Sequence, residues 1–216
     1  MMKNNKFDVQ VDKTHYTENY DTLERFISYY YQIDLARKLA PEKVLEVGVG
    51  NKLVSRYLKQ TGIKVETCDF DAALEPDHIG DVRRLPMKDA SYDTVIACQV
   101  LEHLPWEEID KVLSELGRVS KKYILIFLPY LSINLEAVIK FPLIRSIFRK
   151  SYWNPFFRIP RFYKKIEQPG EHYWEMGAKG FPKRKVEKKL KEHFDIVKRV
   201  RPVLNSYHYF FILKKR

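Results

Sequence analysis

The sequence predicts one α/β domain built on a doubly wound, mostly parallel sheet with helices on both faces. Three observations predict it. Short β-branched runs alternate with helix-patterned stretches between residues 42 and 128. The first run, Lys43 to Val47, ends on Gly48 and Gly50, and the second, Ile63 to Cys68, ends on Asp69 and Asp71.

Asp21 to Ala40 sets Leu23, Phe26, Ile27, Tyr30, Ile33, Leu35 and Leu39 near helical spacing. That predicts an amphipathic helix, closed by Pro41, within a helical arm over residues 1–40. Lys43 to Val47 reads as a buried strand, and Lys52 to Gln60 as a helix that Gly62 stops. Ile63 to Cys68 is a second strand, followed by a loop through Gly80-Asp81 and Leu85-Pro86. Tyr92 to Cys98 is the next strand, Trp106 to Val119 a helix and Lys122 to Leu128 a further strand. The alternation then breaks. Residues 130–180 mix large rings with basic residues, and five prolines between Pro129 and Pro169 exclude one long helix. This insertion is expected to be irregular. Pro182 to Phe194 reads as a basic helix, and Ile196 to Val200 and Tyr207 to Leu213 as closing strands.

With 216 residues, 45% of them hydrophobic, the chain can bury one core. No apolar run reaches the roughly 18 residues that cross a bilayer, and Met1 to Gln10 lacks a signal-like apolar stretch. Two cysteines, Cys68 and Cys98, suit buried thiols in a reducing, cytoplasmic setting rather than a disulfide. Charge is unevenly spread. Residues 1–120 carry 16 Lys+Arg against 21 Asp+Glu, a net of −5, and residues 121–216 carry 23 against 7, a net of +16. The second half is therefore expected to face something anionic.

The chemistry sits in the first half. Glycines after a first strand let a backbone approach a ligand, with the next helix N-terminus behind them. The third glycine of a dinucleotide fingerprint is missing, because Leu53 stands there. Glu46 would crowd a pyrophosphate, and it suits an ammonium or sulfonium instead.

Glu46-Val-Gly-Val-Gly50 resembles the first motif of class I S-adenosylmethionine-dependent methyltransferases. Further matches follow in that family's order: Asp69 after the second strand, Gly80-Asp81-Val-Arg-Arg-Leu-Pro86, Tyr92-Asp-Thr-Val-Ile96 and Val100-Leu-Glu-His-Leu104. The resemblance spans residues 40 to 130 and implies the Rossmann-like fold of that family. It also implies roles. Glu46 would lie by the methionine end of S-adenosyl-L-methionine, and Gly48 and Gly50 would clear its backbone contacts. Asp69 would accept from the ribose hydroxyls and Asp81 from the adenine amino group, with Val82 beside the ring. Gln99 would lie near the transferred methyl. Simpler roles stay open for three of these: a plain turn for Gly48, a helix cap for Asp69 and a turn-former for Asp81.

His103 is either a general base or part of the entrance to the helix that follows. His172 is a second candidate base or an ordinary hydrogen-bonded histidine. Gln99, Glu102 and His103 offer one carboxylate and one imidazole, a poor magnesium cage, so no metal is expected.

The expected enzyme moves a methyl group to a heteroatom, foremost oxygen, of a small or phosphate- or lipid-bearing metabolite. Two rivals are open: an RNA methyltransferase, motivated by the basic half, and a non-catalytic module that binds anions or membranes. Peripheral membrane contact would run through the basic, aromatic insertion, which is also a candidate lid.

Overall fold

A computed structural model describes residues 20–142, 145, 151–166 and 172–216. The first 19 residues of the arm, and Phe148, Arg149 and Lys150 of the insertion, lie outside the described residues.

Seven strands form one sheet. In chain order they are β1 (Lys43–Val47), β2 (Lys64–Asp69), β3 (His78–Ile79), β4 (Tyr92–Cys98), β5 (Ser120–Pro129), β8 (Phe194–Val200) and β9 (His208–Lys215). Their spatial order is β3-β2-β1-β4-β5-β9-β8. Pairing is parallel from β3 to β5 and antiparallel where β9 joins β5 and β8. The order reverses between β1 and β4, so the ends of β1, β2 and β4 open on the crevice where such sheets bind ligands. β3 has only two residues, too few to be read from a period of two.

Successive residues of the strands face opposite cores, which is what winds helices onto both faces. Val44, Ile96, Leu125, Phe127, Phe210 and Ile212 pack with α1 (Leu23–Lys38) and α2 (Leu53–Gln60). Leu45, Val95, Ile124, Ile126, Phe211 and Leu213 pack with α3 (Ile109–Val119) and α4 (Lys183–His193). Among the described residues, no helix is long and apolar enough to cross a membrane. Both cysteines are free thiols.

Two sequence expectations are corrected. The first concerns α1, which buries only the C-terminal part of the apolar stripe. Leu23, Phe26 and Tyr30 are exposed, while Ser28, Tyr29, Gln32, Leu35 and Ala36 are buried. Ser28 points inward because polar partners, His208 and Asn205, lie beside it. The second concerns the insertion, which is not wholly irregular. It holds an antiparallel ribbon of β6 (Ser132–Glu136) and β7 (Phe156–Pro160). Arg158 fastens the ribbon's inner face: its guanidinium lies 4.0 Å from the Tyr130 ring centroid, and it donates to Asn134 and to the Ser206 carbonyl. On α4, three of the cations are engaged by neighbours. Lys189 pairs with Asp110 at 2.7 Å, Lys183 donates to the Tyr209 hydroxyl, and Lys185 lies over the Trp106 and Phe181 rings.

Candidate active site

A cavity of about 770 Å³ opens at the strand ends of the crevice. Glu46, Gly48, Gly50, Asp69, Asp81, Val82, Gln99, His103 and His172 all border it. The fold thus gathers every residue singled out in the sequence into one place. No described residue from 131 to 166 borders it, whereas His172 and Tyr173, later in the insertion, do. The cover comes from α1, through Arg25, Ser28, Tyr29 and Gln32, and from Asn205, Tyr207 and His208.

The turn after β1 depends on glycine. Gly48 has φ +80°, and a Cβ there would lie 2.6 Å from Val100 Cγ2. Its N–H donates to the Cys68 carbonyl, and the next N–H, of Val49, donates to Asp69 Oδ2 at 2.9 Å. Asp69 Oδ1 accepts from Asp71 N at 3.0 Å. Asp69 therefore locks two turns at the wall of the cavity. Burial raises its pKa above the usual carboxylate range, against the pull of these N–H groups. Asn51 accepts from Leu53 N at the start of α2 and donates to Asp21 and the Tyr29 hydroxyl.

Glu46 is buried at the end of β1, and its Oε2 has no hydrogen-bond partner. Burial pushes its pKa up to about 7, despite bonds from Ser55 and the charge of Lys59. Asp81 is less available. Its oxygens accept from Arg83 Nε, Nη2 and backbone N, at 2.5 to 3.0 Å, and Arg83 also reaches Glu108.

Gln99 sits just past β4 with φ +53°, a strained value for a residue with a side chain. Its Oε1 accepts from Arg25 Nη1 at 2.5 Å. Arg25 also stacks on Tyr20. Behind it, His208 is buried beside Ser28 and Asn205, and burial, with the Arg25 charge, depresses its pKa to about 3. It is a neutral imidazole.

His103 and His172 meet edge to face, ring centroids 4.8 Å apart. Tyr173 N donates to the Glu102 carbonyl at 2.8 Å, which brings the two segments together. Glu102 is fully buried, and burial pushes its pKa up to about 7. The expectation of no metal rested on too few oxygen ligands for magnesium in the local stretch. A second imidazole joins Glu102 and His103 from 69 positions along the chain, a group the local stretch does not contain.

Sequence reasoning missed Arg25, Phe70, Asn205 and His208. Phe70 had a local signal, a ring directly after Asp69 at a ligand-facing strand end. The others had none, because tertiary packing brings them in from distant segments.

A family model described as a methyltransferase domain matches residues 45–126. No curated protein matches the sequence. Among solved structures, the PH0226 protein of Pyrococcus horikoshii OT3 is 16% identical with a TM-score of 0.61, covering 95% of this chain and 100% of that one. Magnesium protoporphyrin IX methyltransferase of Synechocystis PCC 6803, solved with bound SAM, is 16% identical with a TM-score of 0.60, covering 97% and 92%. N-methyltransferase NodS of Bradyrhizobium japonicum WM9, solved with S-adenosyl-L-homocysteine, is 9% identical with a TM-score of 0.57, covering 90% and 89%. With this strand order and a motif set that begins at Glu46 and Gly48, the chain carries a methyltransferase domain at residues 45–126 on the class I fold of S-adenosylmethionine-dependent methyltransferases.

Proposed function

We propose that the chain binds S-adenosyl-L-methionine and moves its methyl group to a heteroatom, foremost an oxygen, of a small anionic metabolite. One observation carries the reading. A buried carboxylate, Glu46, has an oxygen without a partner at the edge of the cavity. Such a group is costly to keep unless a cation satisfies it, and the methionine ammonium is one. Around it, Gly48 and Gly50 leave room for the methionine end, and Asp69 offers acceptors to the ribose. Asp81 and Val82, with Phe70, form the adenine side. Asp81 would share its lone pairs between Arg83 and the adenine amino group.

The donor methyl is already activated, so the protein supplies alignment and exclusion of water, on the order of 7 kcal/mol or more. Gln99, held by Arg25, lies where the methyl would pass. Arg25 supports an anionic acceptor, since its guanidinium meets an amide oxygen and a ring rather than a carboxylate. His103 and His172 border the same side, where an imidazole can take up the acceptor's proton.

A second observation favours a lipid-bearing acceptor met at a membrane surface. Ile133 pairs with Ile159 and Leu135 with Phe157, and all four side chains are exposed on one face of the ribbon, Leu135 at 74%. Lys140, Arg161, Lys164 and Lys165 lie in the adjoining segments. An apolar face beside basic residues suits an anionic interface.

The test is incubation of the protein with methyl-labelled cofactor and cell extract split into RNA, lipid and small-molecule fractions. Label in the lipid or small-molecule fraction is expected. Label in RNA alone would replace this reading with the RNA one, and no label with no cofactor binding would leave a non-catalytic module.

A further inference from the structure

We propose that Glu102, His103 and His172 form a binding site for a borderline divalent transition cation such as Zn²⁺. Three independent features point there. Each residue offers one ligand atom, and these atoms all lie within 4.8 Å of one another. Ligands at roughly 2.0–2.2 Å from a common ion lie about 3 to 4 Å apart, so the cluster needs a contraction of about 1 to 2 Å at most. Next, Glu102 is 0% exposed, and neither of its carboxylate oxygens has a hydrogen-bond partner. A carboxylate buried in that state needs a cation or a proton, and a metal supplies both oxygens with what they lack. Last, His172 is oriented as a ligand. Its Nδ1 meets Glu175 Oε1 at 2.8 Å, the carboxylate–histidine pairing that steers metal-bound imidazoles.

The scaffold around the cluster is rigid. Trp174, fully buried, donates from Nε1 to the Leu104 carbonyl at 3.2 Å and packs edge to face on Trp106 at 4.9 Å. Tyr173 N bonds the Glu102 carbonyl. These contacts hold residues 172–174 against the Leu101–His103 turn, so the second imidazole is in place before any ion arrives.

Two imidazole nitrogens and one carboxylate select zinc, cobalt, nickel or iron over magnesium and calcium, which want oxygen-rich cages. Three protein ligands leave a coordination position open. Because His103 and His172 border the cavity beside Gln99, that position faces the acceptor side. A cation there would act as a Lewis acid toward an acceptor oxygen, with the imidazoles serving as ligands rather than as bases.

The test uses the full chain, stripped with chelator and titrated with Co²⁺ and with Zn²⁺. We expect one Co²⁺ per chain with visible d–d absorption, displacement by Zn²⁺, and no binding of Mg²⁺ at comparable concentration. His172→Ala should weaken Zn²⁺ binding by about 100-fold and Glu175→Gln by about 10-fold. His193→Ala, far from the cluster beside Asp110, should change nothing. Glu102→Gln keeps the shape of the protonated acid, so it retains the fold if His172→Ala does not, and it should also lose about 100-fold. Absence of a cobalt spectrum in the parent overturns the site, as does undiminished Zn²⁺ affinity in a folded Glu102→Gln variant. Cofactor calorimetry on the same samples reads the methyltransferase proposal separately, so either idea can fail alone.

Discussion

Arg25 Nη1 donates to Gln99 Oε1 at 2.5 Å, joining the helix before the sheet to the strained residue after β4. Neither residue alone says much. Together they place a guanidinium where a methyl acceptor would lie. Arg25→Met should lower kcat/KM for an anionic acceptor by at least about tenfold, the loss of one charge-assisted bond. Affinity for S-adenosyl-L-homocysteine should stay within about twofold. Steady-state kinetics on the labelled acceptor, beside calorimetry, separates the two, and equal losses in both would place Arg25 in cofactor binding instead.

Glu46 ties cofactor binding to pH. Its folded pKa, about 7, lies above the ordinary 4.5 because of burial. A bound ammonium favours the ionised form, so affinity should rise from pH 6 to pH 8 by up to about tenfold. The opposite sign applies to stability. Below the unfolded value both states are protonated and nothing is lost, whereas above about 7 the folded state carries the full cost of a buried charge, roughly 3 kcal/mol. Glu46→Gln should therefore be more stable than the parent at pH 8, by no more than that amount, and match it near pH 4. It should bind cofactor weakly, without the pH dependence. Denaturant midpoints and calorimetry across that range check both halves, and a variant with the parent's pH profile would remove Glu46 from the site.

Asp69 holds two turns of the fold, and in the proposed function it would also hold the ribose. Asp69→Ala should weaken cofactor binding by about 2 to 3 kcal/mol through the lost ribose bonds. It should also lower stability by about 1 to 3 kcal/mol, because Val49 and Asp71 lose their acceptor. Asp71→Ala, which removes only the cap on Ala73, is the control and should leave cofactor affinity unchanged. If Asp69→Ala binds as the parent does, the ribose assignment is wrong.

The ribbon separates packing from docking. Leu135→Glu with Phe157→Glu should abolish binding to vesicles rich in acidic lipid, and Lys164→Glu with Lys165→Glu should weaken it by about 1 kcal/mol per charge. Both pairs should leave the melting temperature near the parent's. Arg158→Glu should lower it, since that side chain is stacked on Tyr130 and depressed in pKa by burial. Vesicle sedimentation at two salt concentrations, beside thermal melts, checks this. Unchanged sedimentation of the Leu135/Phe157 variant would sink the membrane reading.

The strands and their parallel order were legible because β-branched runs alternate with helical periods, and local patterning decides element type. The glycine turn at Gly48 was equally legible, since a tight turn at positive φ leaves a mark in the residues themselves. The face that α1 buries was not. Its apolar stripe suggested Leu23, Phe26 and Tyr30 inward, but the helix turns Ser28 and Gln32 to the sheet, where Ser28 meets His208 and Asn205. That choice depends on partners about 180 residues away, which periodicity cannot report. The ribbon escaped for a similar reason, as β6 and β7 pair across an insertion whose prolines and rings conceal a period of two. The chemistry divides along the same line. Glu46, Asp69 and Asp81 follow strand ends in sequence, so their shared cavity could be foreseen from order alone. Glu102 and His172 become neighbours only when Trp174 packs under Trp106, because the meeting of distant side chains is set by three-dimensional packing and not by spacing along the chain.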